Sequence, residues 1–287
     1  MIAGRGRRAV FVASGYTGDA GRARLSGDVG CGLWPIRSPN QRGRLLHRPI
    51  LLRRLLLGLT TFLAPLVVVA QPLPDGLQAA LDDMAGPEAE ISVRPSAVDG
   101  LYEVVHGADV FYMTGDGRYM VAGPLLEAAT GRNLTEASES QARLVIVQKL
   151  PEDSLIVFAP PQPKHQVTVF TDIDCHFCRE MHKQVEAYNA RGIAVRYAAF
   201  PRAGLTSPSA QKARHVWCAT DPHEAMTRAK RGEEVAAATC DDPVREHMQA
   251  VEALNLNGTP SIVLDDGRLV PGFVPPAELL QILDSPS

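Results

Sequence analysis

The stretch Phe170-Thr171-Asp172-Ile173-Asp174-Cys175-His176-Phe177-Cys178 constrains this chain more than any other. Upstream of the cysteines, His165 to Phe170 alternates and is rich in Val, Thr and Phe, the pattern of a buried strand. Downstream, Phe177, Met181, Val185 and Tyr188 recur at helical spacing, with charged residues between them. Cys175 is therefore expected at the head of a helix that follows a strand, with Cys178 one turn further in. Unpaired backbone N–H groups and the positive end of the helix dipole favour a thiolate at such a position. Contexts of this kind lower a cysteine pKa from ~8.5 to roughly 3.5–7.5. Two cysteines one turn apart can also close a disulfide. The expectation is an exposed, low-pKa attacking thiol at Cys175 and a buried resolving thiol at Cys178.

The other reading of Cys-X-X-Cys is half of a zinc site, which takes two more Cys or His ligands at a short spacing of their own. Cys218 and Cys240 stand 22 residues apart, and neither begins a second close pair. His176 and His182 flank the motif but suit a helix surface. The pair is read as redox chemistry, with no metal and no cofactor.

The first 70 of the 287 residues differ from the rest, with eleven Arg, no Lys and two acids, Asp19 and Asp28. Gly15 to Gly30 has the glycines of a phosphate loop but lacks the Gly-Lys-Ser/Thr ending. Arg53-Arg54 then precede an apolar run, Leu55 to Val69, that ends Val68-Val69-Ala70 before Gln71-Pro72. A basic start, an apolar stretch of about 15 residues and small or apolar residues before the cut describe a secretory signal peptide. The run is short for a transmembrane helix, which needs about 20 residues, and Pro65 interrupts it. A retained anchor is the alternative, and the twin Arg alone does not specify an export route. Residues 53–70 are read as the signal peptide, with cleavage near Ala70. Residues 1–52 lie upstream of any ordinary signal and are read as preceding the true start. N-terminal sequencing of the exported protein is expected to begin near Gln71.

Removal of residues 1–70 turns a formal charge of −3 into 18 basic against 30 acidic residues, or −12. Such an acidic chain is a poor partner for nucleic acid or anionic membranes. The same cut removes Cys31 and leaves four cysteines, the even count that pairing in an oxidising compartment requires.

Residues 71–130 read as a small first module, with a helix over Leu77–Met84 and strands over Ile91–Arg94, Leu101–His106, Asp109–Thr114 and Arg118–Ala122. Thr114-Gly115-Asp116-Gly117-Arg118 is a hairpin turn, since Gly and Asp tolerate positive φ. About 60 residues is marginal for an independent core, so a partner surface is expected. Residues 131–154 form a linker, with a helix over Leu134–Lys149 whose apolar end can pack on the next domain. From 155 to 287 the order is strand, Cys-bearing helix, strand Ile193–Phe200, helices across 208–254, strand Ser261–Leu264, a turn, strand Arg268–Val270 and a last helix, Pro276–Leu283. This α+β order, with a βαβ start and a closing hairpin and helix, fits the thioredoxin architecture. Gly258-Thr259-Pro260 stands where that fold places a cis-proline facing the cysteines, which makes Thr259 and Pro260 candidates for substrate binding.

Several stretches together resemble the DsbC family of periplasmic disulfide isomerases. They are Phe170-Thr171-Asp172-Ile173, Gly192-Ile193-Ala194-Val195-Arg196-Tyr197 and Phe200-Pro201-Arg202-Ala203-Gly204-Leu205. Trp217-Cys218-Ala219, Gly258-Thr259-Pro260 and Leu269-Val270-Pro271-Gly272-Phe273 continue the likeness, and Tyr112-Met113-Thr114-Gly115-Asp116-Gly117-Arg118 carries it into the first module. The resemblance implies a thioredoxin-like catalytic domain behind a small cystatin-like dimerisation domain, in a V-shaped periplasmic homodimer. It also implies misfolded, disulfide-containing exported proteins as substrates and a membrane reductase of the DsbD type as electron donor.

Two departures bear on redox tuning. The dipeptide between the cysteines is His176-Phe177, where the family commonly has Gly-Tyr. Asp174 places a carboxylate beside Cys175 and should partly oppose the thiolate, whereas a protonated His176 would favour it. Cys218 and Cys240 are read as a structural disulfide, with two free thiols as the alternative; closing such a loop is worth roughly 3 kcal/mol in the chain-entropy picture. Asp172 is read either as an acid or base for Cys178 or as a strand-end carboxylate capping the helix. The alternative functions are a DsbG-like reductase of oxidised cysteines, a DsbA-type oxidase, and a holdase chaperone with secondary redox activity.

Overall fold

The computed structural model describes residues 72–85 and 90–285, so the expected upstream segment and signal peptide lie outside the described residues. Helix α1 (Asp75–Ala85) precedes a four-stranded antiparallel meander, β1 (Ile91–Pro95), β2 (Leu101–His106), β3 (Asp109–Thr114) and β4 (Met120–Val121). Alternation decides the faces. Val104 and Met113 are buried against Leu77 and Leu81 of α1, with Tyr102 and Phe111 beside them. Glu103 and Tyr112 point the other way, toward α2 (Leu134–Gln148). Strand β4 is shorter than the sequence pattern suggests. The Asp116 carboxylate accepts from Arg118 N–H and the Thr114 hydroxyl from Tyr119 N–H, which holds both residues in the turn.

The start of α2 is fixed by Asn133, whose side chain accepts from the N–H groups of Thr135 and Glu136. The face of α2 that meets the meander is polar. Thr135 and Tyr112 share a hydroxyl–hydroxyl bond of 2.7 Å, and Ser138 donates to Glu103 at 2.9 Å while accepting from Arg94 at 2.7 Å. The far end is apolar. Val147 and Leu150 join one buried cluster with Ala108 of the first module and with Phe170, Ala198, Val251 and Leu254 of the second domain. The amide of Ala108 also donates to the carbonyl of Ala253 at 2.8 Å. The first module thus shares a core with the domain that follows it.

The second sheet contains β5 (Ile156–Phe158), β6 (His165–Thr171), β7 (Ile193–Ala199), β8 (Ser261–Val263) and β9 (Leu269–Pro271), in the order β5-β7-β6-β8-β9. Only β6 and β7 run parallel; the other pairings are antiparallel. Strand β5 is three residues long, too short to announce itself by periodicity, and is held by pairing with β7. Between β6 and β7 the expected single helix is two, α3 (His176–Lys183) and α4 (Val185–Asn189), hinged at Gln184. No Gly or Pro breaks it. The segments answer to separate anchors instead: His182 bonds Tyr197 and Thr227, and the Tyr188 hydroxyl bonds the Val274 carbonyl. Helices α5 (Pro208–Trp217), α6 (Pro222–Arg231), α7 (Val244–Ala253) and α8 (Pro276–Asp284) complete the domain. Residues of α3, α4, α5, α6 and α8 bury Val167, Val169, Val195 and Tyr197 on one face, while α7 and the end of α2 cover the other. The thioredoxin-like fold expected for this domain is the fold observed.

The β8–β9 turn touches the linker helix. Gly267 has φ +85°, and a Cβ there would run into the Ser140 carbonyl of α2 and, at 2.9 Å, the Leu144 side chain. Gly204 has a similar φ, +87°, with open space around it. Replacing Gly by Ala at such φ costs of order 1–3 kcal/mol in backbone strain alone. Chemical denaturation of Gly267→Ala should show a loss at least that large and exceeding that of Gly204→Ala; equal losses would mean that the contact with α2 contributes nothing.

Candidate active site

Strand β6 ends at Thr171, Asp172 turns the chain, and Cys175 caps the N-terminus of α3 with extended backbone dihedrals. Cys178 follows one turn inside the helix. Both are free thiols and both are buried, at 3% and 1% exposure. The expectation that Cys175 would be exposed is thus corrected. Its sulfur is folded over toward the loop that precedes β8 and lies 3.3 Å from the Thr259 carbonyl, to which it donates in its protonated form only. The Thr259–Pro260 bond in this loop is cis.

The two sulfurs differ in charge preference although they are similarly covered. Cys175 is pulled down to about 5, first by the hydrogen bond from the Cys178 thiol. Burial opposes this, but the Thr259 hydroxyl, the Cys178 backbone N–H and the Arg202 guanidinium all favour the anion. Cys178 is pushed up, by burial and by having to donate its proton to Cys175. At neutral pH the resting site is one thiolate and one thiol. The Thr259 Oγ1 is buried without a hydrogen-bond partner, and the anion at Cys175 is the acceptor its proton can satisfy.

The Asp174 charge, expected to oppose the thiolate, is offset by two cations. Its carboxylate is turned outward and paired with Arg179 at 2.9 Å and with Lys212 at 2.8 Å, so its charge is balanced before it reaches the sulfur. The nearby charge that does act is Arg202, on the loop after β7. His176 and Phe177 are both exposed on the first turn of α3, their rings edge-to-face at 5.4 Å, and Phe177 is 58% exposed. They form the outer rim of the site. His182, expected on the helix surface, is buried between Tyr197 and Thr227, and burial lowers it to about 4.

Asp172 matches neither of its expected roles. Its carboxylate accepts from Asp174 N–H at 2.8 Å, from Arg202 N–H at 3.0 Å and from the Ser209 hydroxyl at 2.5 Å. Burial pushes its pKa up, but these bonds outweigh it, and the group sits below the usual carboxylate range. A carboxylate held in this way is a brace between β6, the Arg202 loop and α5. The buried cation on the inner side of the motif, Lys230, was not singled out by the sequence; a lysine four residues after Met226 on an otherwise apolar helix face was the available signal. Cys218 and Cys240 are joined in a disulfide with sulfurs 2.00 Å apart, half-buried at one end and exposed at the other. It ties the end of α5 to the irregular segment before α7, far along the chain from Cys175. Among the described residues no three His, Cys, Asp or Glu side chains converge in a way that could hold a metal ion.

Comparison with known proteins gives a consistent picture. Residues 68–136 match the disulfide bond isomerase protein N-terminal domain family, and residues 152–285 match the thioredoxin-like domain family. The thiol:disulfide interchange protein DsbC of Dickeya dadantii is 40% identical over 195 residues, 67% of this chain and 80% of the relative. The protein of the same name from Escherichia coli K12 is 36% identical over 226 residues, 79% of this chain and 94% of the relative. A solved disulfide interchange protein from Neisseria gonorrhoeae shares 32% identity, covering 47% of this chain and 96% of its own, with a TM-score of 0.43.

The otherwise unpartnered Thr259 hydroxyl is the side-chain donor available to the Cys175 thiolate. A hydrogen bond to a charged group is worth roughly 1.5–3 kcal/mol, or about 1–2 pH units of a titration midpoint. Reduced wild-type protein should react with iodoacetamide at Cys175 with a midpoint near 5. Thr259→Val should move that midpoint up by about 1–2 units. An unmoved midpoint would remove the hydroxyl from the account.

Proposed function

The chain belongs to the DsbC family of thiol:disulfide interchange proteins, and on that premise we propose that it rearranges wrongly paired disulfides in exported proteins through Cys175 and Cys178. It is a disulfide isomerase and thiol-disulfide oxidoreductase. The observation that carries the residue assignment is the split between the two sulfurs, a thiolate at the helix head beside the Thr259-Pro260 loop and a protonated thiol beneath it. The Cys175 thiolate attacks one sulfur of a substrate disulfide, forming a mixed disulfide and expelling the other sulfur as a thiolate. That thiolate attacks a second substrate disulfide, and a later exchange returns the electrons to Cys175; the substrate is rearranged with no net redox change. When rearrangement stalls, Cys178 attacks Cys175, the substrate leaves reduced, and the Cys175–Cys178 disulfide must be reduced from outside. A membrane reductase of the DsbD type fits that need. Backbone groups of the loop beside Pro260 suit an extended substrate strand, with Phe177 as an apolar contact at the rim.

The setting we propose is the periplasm, reached through the signal peptide at 53–70. The Cys218–Cys240 disulfide supports an oxidising compartment. For residues 71–130 we propose dimerisation and substrate retention rather than chemistry. The support is β4, an edge strand whose Met120 and Val121 are both 52% exposed, with Tyr119 just before it 60% exposed. An open apolar edge pairs readily with another strand, and a second copy supplies one symmetrically. Two sites around one cleft would keep a substrate near a thiolate between exchanges, an effect of local concentration.

Two experiments test these assignments. Cys175→Ala should abolish disulfide exchange altogether, whereas Cys178→Ala should keep part of the isomerisation of a scrambled multi-disulfide protein and accumulate mixed disulfides on non-reducing gels. The opposite pattern would reverse the roles. Deletion of residues 71–130 should give a monomer in sedimentation that still reduces a small disulfide but corrects the scrambled protein several-fold more slowly. A monomer as effective as the full mature chain would rule out the retention role.

A further inference from the structure

The reaction as described leaves the buried cation beneath the motif without a role. Lys230 lies near the end of α6 with Ala225, Met226 and Ala229, and is 3% exposed. Burying an ammonium is costly unless charge and hydrogen bonds compensate it. Here Nζ donates to the Thr171 hydroxyl at 2.7 Å and to the Asp172 carbonyl at 2.9 Å, both neutral oxygens, and it stands 6.0 Å from the centre of the Tyr197 ring. None of these contacts explains why a lysine rather than a methionine occupies the position.

What distinguishes the position is the neighbour on the far side of Thr171. The Thr171 hydroxyl accepts from Lys230 and so keeps its own proton for donation; hydrogen bonding from Thr171 and the charge on Lys230 both favour the anion of Cys178 against its burial. Thr171, hydrogen-bonded to Lys230 at 2.7 Å, thus acts on Cys178 as well and connects the two. Burial lowers Lys230 to about 8, so its neutral form is within reach near neutral pH. The Asp172 carboxylate, the other conceivable acceptor, is occupied by Ser209, Asp174 and Arg202.

We propose that Lys230, acting through the Thr171 hydroxyl, takes up the Cys178 proton as Cys178 closes on the mixed disulfide, and thereby sets how readily a bound substrate is released reduced rather than rearranged. The proposal rests on the assignment of Cys175 as the attacking sulfur and Cys178 as the closing one. In the step, the Cys178 S–H proton passes to Thr171 Oγ1 while the Thr171 proton passes to the neutral Lys230 amine, which becomes an ammonium. The Cys178 thiolate attacks Cys175 Sγ; the Cys175–Cys178 bond forms and the Cys175–substrate bond breaks. The substrate sulfur leaves with the electron pair and takes a proton from water. Over both steps the substrate disulfide gains two electrons and the enzyme dithiol loses them. Lys230 is a positioning residue in this step, since it meets the reacting sulfur only through Thr171.

The need for such a device follows from the first step. In the resting site the Cys178 proton is bound toward the Cys175 anion. Once Cys175 is in a mixed disulfide that anion is gone, and a thiol buried at 1% exposure has no solvent to which to give its proton. The groups facing Lys230 are Cys178, Arg179 and His182 of α3, Cys175 at the helix cap, Thr171 at the end of β6 and Asp172 just after it, and Tyr197 of β7. His182 is lowered to about 4, Asp172 lies below the usual carboxylate range, and burial raises Tyr197. With Cys175 tied up in the mixed disulfide, Lys230 is left as the group whose titration falls near pH 8.

The test is single-turnover reaction of the reduced mature protein with oxidised glutathione, following formation and then release of the glutathione mixed disulfide across pH 6–10. In the wild type, release should quicken as Lys230 loses its proton and level off above about pH 8. In Lys230→Met, release at pH 7 should slow by about a hundredfold or more, the lower end of the usual scale for losing a general base, and should keep climbing with pH. Formation of the mixed disulfide should change by less than about twofold, well short of a general-base loss. Thr171→Val, with the lysine retained, should slow release in the same way. Release in Lys230→Met at the wild-type rate and with the wild-type profile would overturn the proposal. Should either variant fail to fold, the wild-type profile decides, because log-linear acceleration up to pH 10 also overturns it. Failure of the underlying assignment looks different: glutathione would be found on Cys178 instead of Cys175.

Discussion

A sulfur anion without solvent survives only where donors replace water, and the hydrogen bond from the Cys178 thiol to Cys175 is the first of these. It makes the pair asymmetric, since the donor must keep its proton for the acceptor to lose one. The surroundings follow from that asymmetry. Thr259 brings a hydroxyl with no other partner, the head of α3 brings a backbone N–H, and Arg202 brings a charge that is itself held by Asp172. Asp172 in turn links strand, loop and helix through three different segments of chain. The acid beside the motif is therefore part of the frame that aims Arg202, and the acid next to the nucleophile, Asp174, is silenced by two cations.

The sequence makes much of this legible because its strongest signals are local. The strand before Cys175, the helix after it, the Thr-Gly-Asp-Gly turn and the boundaries of β2 and β3 all depend on residues close in the chain, and periodicity or turn chemistry gives them away. Features decided by distant contacts are harder to read. Strand β5 exists because β7 offers it an edge, and the hinge at Gln184 exists because His182 and Tyr188 have partners more than ten residues away. The coverage of Cys175 depends on a loop 84 residues further on. The charge of Asp174 was visible in the sequence, but its neutralisation by Lys212, 38 residues away, was not. Lys230 illustrates the same limit: a lysine on an apolar helix face can snorkel to solvent or stay buried, and only the packing of α6 against α3 decides which.

The join between the first module and the catalytic domain carries a mechanical consequence. Ala108, Val147 and Leu150 share one apolar cluster with Phe170, Val251 and Leu254, the Ala108 amide is bonded to the Ala253 carbonyl, and the Gly267 turn lies against the backbone of α2. The two parts are joined by a seam rather than a tether. A packed seam resists bending more than a free linker does, so the reach from the β4 edge to Cys175 is set by these contacts. Were two copies joined at that edge, they would act like calipers with a preset gape, and a client's size would decide whether both tips can touch it at once.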